Sequence, residues 1–185
     1  LFRSEIGIKM IHEHIMDDLM SQEKVENIIR QYDADDTVDG IIIQLPIPKQ
    51  YNKNRLQKCI SPSKDVDGFK RNSWYRPCTP LGIMNWLKYN KIDLSGKDVV
   101  VIGRSDIVGK PLVNMMIEQG ATVTCCNSKT ENLKYYTQNA DIVVSAIGKP
   151  KYFDSTYFKK GQIIIDVGIN KDEDGKLCGD VDGTY

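Results

Sequence analysis

The sequence predicts an α/β protein of two domains, the second built on a Rossmann-like parallel sheet. Three observations carry this reading. From Lys97 onward, β-branched apolar runs alternate with segments of helical length, the pattern of parallel strands joined by helices. A small-residue turn around Gly103 and Gly109 follows the first of those runs, at the strand end where an open α/β sheet meets its ligand. A polar stretch, residues 90–95, separates this half from an N-terminal half with apolar runs of its own.

In the N-terminal half, Ile6, Ile8 and Met10 alternate with Gly7 and Lys9, the period of a strand. Ser21 stands as a helix N-cap with Glu23 in the first turn, where a carboxylate meets the positive end of the helix dipole. Val25, Ile28 and Ile29 form the apolar stripe of that helix, and residues 33–36 break it. Residues 40–45 (GIIIQL) are nearly all apolar, as in a strand buried on both faces. Pro46 and Pro48 end it. Residues 54–60 read as a short helix and residues 61–68 (SPSKDVDG) as a turn-rich loop.

Thr79 is placed to cap the next helix, with Pro80 at its first position. Ile83, Trp86 and Leu87 continue the apolar face. In the second half, residues 98–102, 121–126, 141–146 and 162–167 read as strands. Residues 108–118 read as a helix stopped by Gly120.

The chain has 185 residues, the length of one domain or two small ones. Its 25 basic and 25 acidic residues cancel, so the basic excess of a nucleic-acid binder is absent. No apolar run approaches the ~18 residues of a membrane helix, and the opening residues have neither a signal-peptide nor a transit-peptide pattern. Partners are therefore expected to exclude nucleic acid and membrane. The five cysteines, Cys59, Cys78, Cys125, Cys126 and Cys178, are odd in number and form no C-x-x-C pair. That argues against a disulfide framework and against a metal site. Reduced thiols in the cytoplasm are the expectation, with Cys125 and Cys126 on opposite faces of one strand. The chain opens on Leu1, and residues 179–185 follow directly on a strand-like stretch, so further segments are expected beyond both ends.

The dinucleotide signal lies in residues 99–111 (VVVIGRSDIVGKP), a strand, a small-residue turn and a helix start. Gly103 ends the strand where backbone must approach a ligand, and Gly109 permits close contact near the helix. The helix N-terminus, at Val108 and Gly109, would offer N–H groups and a positive dipole end to a pyrophosphate. The spacing departs from G-x-G-x-x-G, because Ser105 replaces the second glycine and the last glycine falls one residue late. A tight turn without a ligand fits the bare motif as well. The second strand ends in residues 126–130 (CNSKT) with no acid at its tip, whereas NAD sites place an Asp or Glu there. Arg104, Ser128 and Lys129 can instead meet a 2′-phosphate, which favours NADP. An ordinary solvated lysine explains Lys129 equally well.

On the other side, Gln44 sits at the C-terminal end of the expected buried strand, where ligands bind in open α/β sheets. A glutamine that caps a neighbouring loop fits the same pattern. Asp65 and Asp67 lie two residues apart in the KDVDG loop. Such carboxylates can accept the N–H edge of a heterocycle or hold a cation, and they are also common in plain turns.

Seven motifs occur in one order: residues 40–48 (GIIIQLPIP), 64–69 (KDVDGF), 78–82 (CTPLG), 103–111 (GRSDIVGKP), 140–144 (ADIVV) with 147–150 (IGKP), 165–170 (IDVGIN) and 179–182 (GDVD). Together they resemble the bifunctional methylenetetrahydrofolate dehydrogenase/cyclohydrolase family. The resemblance implies two α/β domains with a folate cleft between them. Residues 1–78 would form a catalytic, folate-binding domain and residues 79–185 an NADP-binding Rossmann-like domain, each incomplete at its outer end.

It further implies NADP-dependent oxidation of 5,10-methylenetetrahydrofolate to the methenyl form and hydrolysis of that form to 10-formyltetrahydrofolate. The partners implied are tetrahydrofolate derivatives and a second copy in a homodimer. By the same resemblance Gln44 supports a catalytic lysine and Asp67 binds the pterin, while Asp65 has a structural or secondary part. Pro46, Thr79, Pro80 and Gly82 line the cleft. Gly103, Arg104, Ser105, Val108, Gly109 and Ser128 hold the cofactor, and Ile169 lies on its nicotinamide side.

Several departures accompany the resemblance. The family's Tyr-x-x-x-Lys should precede Ile6, and only residues 1–5 stand there. The 185-residue chain is therefore expected to bind dinucleotide with little cyclohydrolase activity. The stretch between Phe69 and Pro77 is shorter than the family's loop. Lys70 stands where the family has histidine or a small polar residue, and Asn127 replaces the histidine before Ser128. A dehydrogenase without cyclohydrolase activity and a nucleotide-binding module without catalysis are the rival readings.

Overall fold

The computed structural model describes residues 6–15 and 20–183. The C-terminal half holds a four-stranded, all-parallel sheet in the order β2–β1–β3–β4. Its strands are β1 (Asp98–Ile102), β2 (Thr122–Cys126), β3 (Ile142–Ser145) and β4 (Ile163–Asp166). Val99 lies opposite Val123 on one side and Ile142 on the other, and Ile142 in turn lies opposite Ile163. β1 and β3 are buried along nearly their whole length, as parallel strands covered on both faces must be. The chain runs from β1 to β2 on one side and then crosses to β3 on the other. The strand order thus reverses at β1, and the crevice beyond its C-terminal end is the sheet's switch point.

Helices cover the faces of this sheet. α3 (Cys78–Tyr89) and α4 (Gly109–Glu118) bury Ile83, Leu87, Leu112 and Met116 against Val99, Val101, Ile142 and Val144. The opposite face collects Val100, Ile102, Cys126, Val143 and Phe153. α5 (Leu133–Asn139) follows β2, and the short hairpin β5 (Asn170–Lys171) and β6 (Leu177–Cys178) follows β4. Neither α5 nor the hairpin was expected from the sequence. The four expected strands are all present: β1 has its expected bounds and the other three are one residue shorter at one or both ends. Cys125 is exposed and Cys126 buried, on opposite faces, and all five cysteines are free thiols.

The N-terminal half departs from expectation. α1 (Gln22–Ala34) forms as expected, with the Ser21 hydroxyl accepting the Lys24 N–H at 3.3 Å and Val25 and Ile29 buried. α2 (Lys53–Lys58) is capped by Asn52, which accepts the Arg55 N–H at 3.1 Å. The two expected strands do not form. Residues 6–10 carry no ladder, and Ile6 and Ile8 are exposed. Residues 40–45 make a single bridge, Ile41 to Asp65, and Ile42 is 59% exposed. A strand needs a neighbour along its length to satisfy its backbone N–H and C=O groups; among the described residues the first segment has no ladder and the second only the single bridge to Asp65.

The start of α3 is also corrected. Pro77, not Thr79, occupies the N-cap, and Thr79 and Pro80 lie inside the first turn. A proline is tolerated there because the first N–H groups of a helix have no intrahelical partner.

Candidate functional site

At the C-terminal end of β1 the chain turns at Gly103, whose φ of +119° lies where L side chains are strained. A Cβ on Gly103 would strike the Ala146 carbonyl at the end of β3. The Gly103 N–H donates to the Cys126 carbonyl at 2.9 Å, which holds the turn against the tip of β2. Gly109 closes the other side, for its added Cβ would run into the Gly103 carbonyl oxygen. Both glycines are thus required by close backbone approach.

Ser105 organises the turn. Its hydroxyl oxygen accepts the N–H groups of Val108 at 3.1 Å and Gly109 at 3.4 Å, and its carbonyl accepts the Lys110 N–H at 3.0 Å. This corrects the expectation of free N–H groups at the start of α4, since Ser105 already occupies them. The N–H groups left over belong to the turn itself. Those of Arg104, Ser105, Asp106 and Ile107 donate no hydrogen bond among the described residues. The Arg104 side chain is exposed beside them. The Ser105 hydroxyl still has its own hydrogen to donate.

The tip of β2 continues into residues 127–130. Asn127 folds this turn: its Oδ1 accepts the Lys129 N–H at 3.0 Å, and its own N–H donates to Thr130 Oγ1 at 2.9 Å. Ser128 and Lys129 are left exposed at the apex with no carboxylate at the strand end. The Gly103–Cys126 bond sets Arg104 and Ser128 at neighbouring strand ends.

The rim beyond β3 and β4 is held by two carboxylates that sequence reasoning left without a part. Asp180 is fully buried. Its oxygens accept Ser145 Oγ and the Ile147 N–H at 2.8 Å each, the Lys149 N–H at 2.8 Å and Asn170 Nδ2 at 3.0 Å. Burial pushes this carboxyl up, but the donors from Ile147, Asn170, Ser145 and Lys149 outweigh it and hold the group below the ordinary carboxylate range. Asp166 accepts the N–H groups of Gly168, Asp180 and Val181 at 2.8–3.0 Å. The motifs at 165–170 and 179–182 are therefore one interlocked unit. Ile169 stands on its outer edge, 86% exposed.

The KDVDG loop forms the second part of the site. The Lys64 ammonium donates to the carbonyls of Asp33 and Asp35 at 2.7 and 2.8 Å, which ties the loop to the end of α1. Asp65 is buried and accepts the N–H groups of Phe69 at 3.3 Å and Lys70 at 2.8 Å. Gly68, at φ +68°, lies against residues 75–77, where an added Cβ would come within 2.6 Å of the Tyr75 carbonyl oxygen. That contact brings the loop to the start of α3, where Thr79 is exposed. The Asp67 side chain accepts no hydrogen bond among the described residues. Burial pushes its carboxyl up, and the Asp65 charge pushes it the same way.

Gln44 is exposed and its Nε2 donates to the carbonyl of the next residue, Leu45, at 3.0 Å. It does not end a buried strand. The peptide between Leu45 and Pro46 is cis, and Pro46 is exposed. The bond from the Ile41 N–H to the Lys64 carbonyl, at 2.8 Å, keeps this segment alongside the KDVDG loop. Among the described residues no group of three or more His, Cys, Asp or Glu side chains could hold a metal.

Two family models match this architecture. Residues 3–67 match the tetrahydrofolate dehydrogenase/cyclohydrolase catalytic domain, and residues 77–184 match the NAD(P)-binding domain of the same name. The chain belongs to the tetrahydrofolate dehydrogenase/cyclohydrolase family. The bifunctional protein FolD of Dechloromonas aromatica is 47% identical over 187 residues, covering 96% of this chain and 66% of the relative. The chain thus spans just under two thirds of that relative's length.

Among solved structures, the bifunctional FolD enzyme of Campylobacter jejuni superposes with a TM-score of 0.93. It is 43% identical and covers 97% of this chain and 67% of its own. The Trypanosoma brucei enzyme, solved with NADP cofactor and an inhibitor, superposes with a TM-score of 0.79 at 32% identity, covering 88% of this chain and 61% of its own. Among the described residues no helix is long and apolar enough to cross a membrane.

Proposed function

We propose that this protein oxidises 5,10-methylenetetrahydrofolate to the methenyl form with NADP and hydrolyses the product to 10-formyltetrahydrofolate. The observation that carries the reading is the Gly103–Gly109 turn, closed too tightly for any side chain, at the switch point of a parallel sheet in a member of this family. The cradle suits a dinucleotide. The turn N–H groups of residues 104–107 face its phosphates, and the Ser105 hydroxyl both fixes the helix start and donates outward. Arg104 and Ser128 meet a 2′-phosphate at strand ends that carry no repelling acid. When bound, the nicotinamide supplies the hydride acceptor. Ile169 covers its side of the rim, which Asp180 and Asp166 hold in place.

Residues 1–78 and 79–185 are assigned to the folate and dinucleotide halves respectively. Asp67 accepts the N–H edge of the pterin, and Asp65 keeps the loop folded beneath it. Pro46 and Thr79 border the folate. Gln44 is close to the loop through the Ile41–Lys64 bond and free to turn toward a catalytic ammonium. The protein works in the cytoplasm as a homodimer. These assignments rest on the family, on the motif order and on the geometry around residues 65–79.

The test is direct. Purified protein is given methylenetetrahydrofolate and NADP while reduced cofactor, methenyl and 10-formyl products are followed together. Reduced cofactor and 10-formyl product are expected from protein that carries the family's Tyr-x-x-x-Lys, and little 10-formyl product from the 185-residue chain by itself. Accumulated methenyl product points to a dehydrogenase alone, and failure to bind either NADP or folate overturns the reading.

A further inference from the structure

A cavity of about 640 Å³ opens between the segment 68–77, α2 and the first turns of α4. Five cations line it: Lys53, Lys70, Arg71, Arg76 and Lys110. Its two carboxylates are already engaged. Lys110 donates to Asp106 at 2.6 Å, and Arg76 grips Glu118 through two N–H groups at 3.0 and 3.2 Å. The other three cations form no salt bridge among the described residues, although Lys53 lies near enough to Asp106 to help Lys110 hold that carboxyl below its ordinary range. The Lys53 ammonium lies 5.7 Å from the Phe69 ring centroid, and Lys70 donates to the Ile60 carbonyl. The Arg71 guanidinium makes no hydrogen bond or ion pair among the described residues. Five cations and two carboxylates thus line one concavity, a local positive excess in a chain of zero net charge.

We propose that this cavity binds clustered oxyanions, the carboxylates or phosphates of one small molecule. Like charges gathered in a concave, low-dielectric wall focus the field and raise the local concentration of counter-charge. The Arg71 fork matches a carboxylate or phosphate through two parallel N–H bonds, and the lysines act as point charges beside it. The volume falls within the range of small-molecule sites. Asp106 and Ile107 line this cavity while Arg104, Ser105 and Ser128 do not, so it adjoins the dinucleotide cradle at the turn without including its Arg104–Ser128 side. Through Gly68 and Phe69 it shares a wall with the Asp67 loop. Two sources fit the chemistry: the γ-linked glutamate tail of a folate seated at Asp67, which rests on the function proposed above, and a separate small polyanion, which does not.

The experiment titrates the full chain calorimetrically with tripolyphosphate and with folyl mono- and triglutamate. Each titration is repeated with K53E/R71E and with R104A. Lys53 begins α2, where a glutamate suits the helix dipole, and Arg71 is exposed, so an unchanged melting curve is the folding control. Tripolyphosphate binding is expected to fall by at least ~10-fold in K53E/R71E, to weaken with added salt, and to persist in R104A.

Tighter binding of the triglutamate than the monoglutamate, abolished in K53E/R71E, identifies the tail as the source. Tripolyphosphate binding with equal folate affinities identifies a separate polyanion. If no folate binds while tripolyphosphate does, the folate reading fails and the cavity assignment stands. The proposal is overturned if tripolyphosphate does not bind and the tail adds nothing, if binding survives K53E/R71E, or if it is lost only in R104A.

Discussion

Ser145 Oγ donates to the Asp180 carboxylate at 2.8 Å, joining the last residue of β3 to a side chain 35 positions later, both fully buried. Asp180 serves four donors in all, and an amide cannot do so. In Asp180→Asn one acceptor oxygen becomes an N–H₂ that faces other donors. The loss expected is roughly 1–3 kcal/mol of stability, read as a lower urea midpoint at unchanged slope. The pH dependence has a definite sign. The folded carboxyl titrates below its unfolded value, so its contribution is complete above the unfolded pKa and disappears as pH falls through the folded one. The gap between wild type and Asp180→Asn should therefore narrow on acidification.

Cofactor choice is expected to turn on Arg104. With no acid at the end of β2, NADP should bind at least ~10-fold tighter than NAD, the value of one charge-assisted hydrogen bond. Arg104→Ala should remove most of that preference and leave NAD affinity little changed. Paired titrations with the two nucleotides check it, and equal losses for both would place Arg104 elsewhere.

Asp67 should trade stability for binding. Asp67→Asn sets a donor against a ring N–H, which costs roughly 1–3 kcal/mol, or about 5- to 150-fold in folate affinity, with NADP unaffected. The same change removes a carboxylate that burial and Asp65 disfavour when charged. An acid whose folded pKa is raised loses stability as pH rises through its unfolded value. The variant should thus melt higher than wild type at neutral pH and alike at acid pH. Asp65→Asn is expected to act differently, by lowering stability, because Asp65 is buried and accepts two backbone N–H groups.

Gly109→Ala tests the closed turn. The new methyl must displace the Gly103 carbonyl, which is backbone and cannot swing aside. Overpacking of this kind costs typically ~1–3 kcal/mol, and dinucleotide binding should weaken while folate binding at the Asp67 loop is retained. Separate titrations of the two ligands distinguish this from general unfolding.

The second half of the chain was legible because its signals are local. Residues 99–102 and 142–144 are continuous β-branched runs, and Gly103, Gly109 and Gly120 punctuate the second half. α5 escaped notice because its stretch LKYYTQN is short and mixed, and its N-cap, Asn132, sits at φ +50° with no side-chain cap bond. The N-terminal runs misled because alternation at residues 6–10 and apolarity at 40–45 describe a strand's side chains and say nothing of its neighbours. The site was half visible. Gly103 and Gly109 announce a close approach by their type alone. Asp180 does not, since its partners at 145, 147, 149 and 170 come together only when β3 and β4 are laid side by side.

β4 forms one margin of the sheet and carries three consecutive isoleucines, Ile163, Ile164 and Ile165. An uncharged β-branched run at a sheet margin is a template on which partly opened molecules can zip together. Lys159 and Lys160 precede it and Asp166 follows it, charges that resist such stacking between chains. Asp166 is also the acceptor that anchors residues 168, 180 and 181. The carboxylate that shapes the rim is therefore also one of the charges that flank this margin.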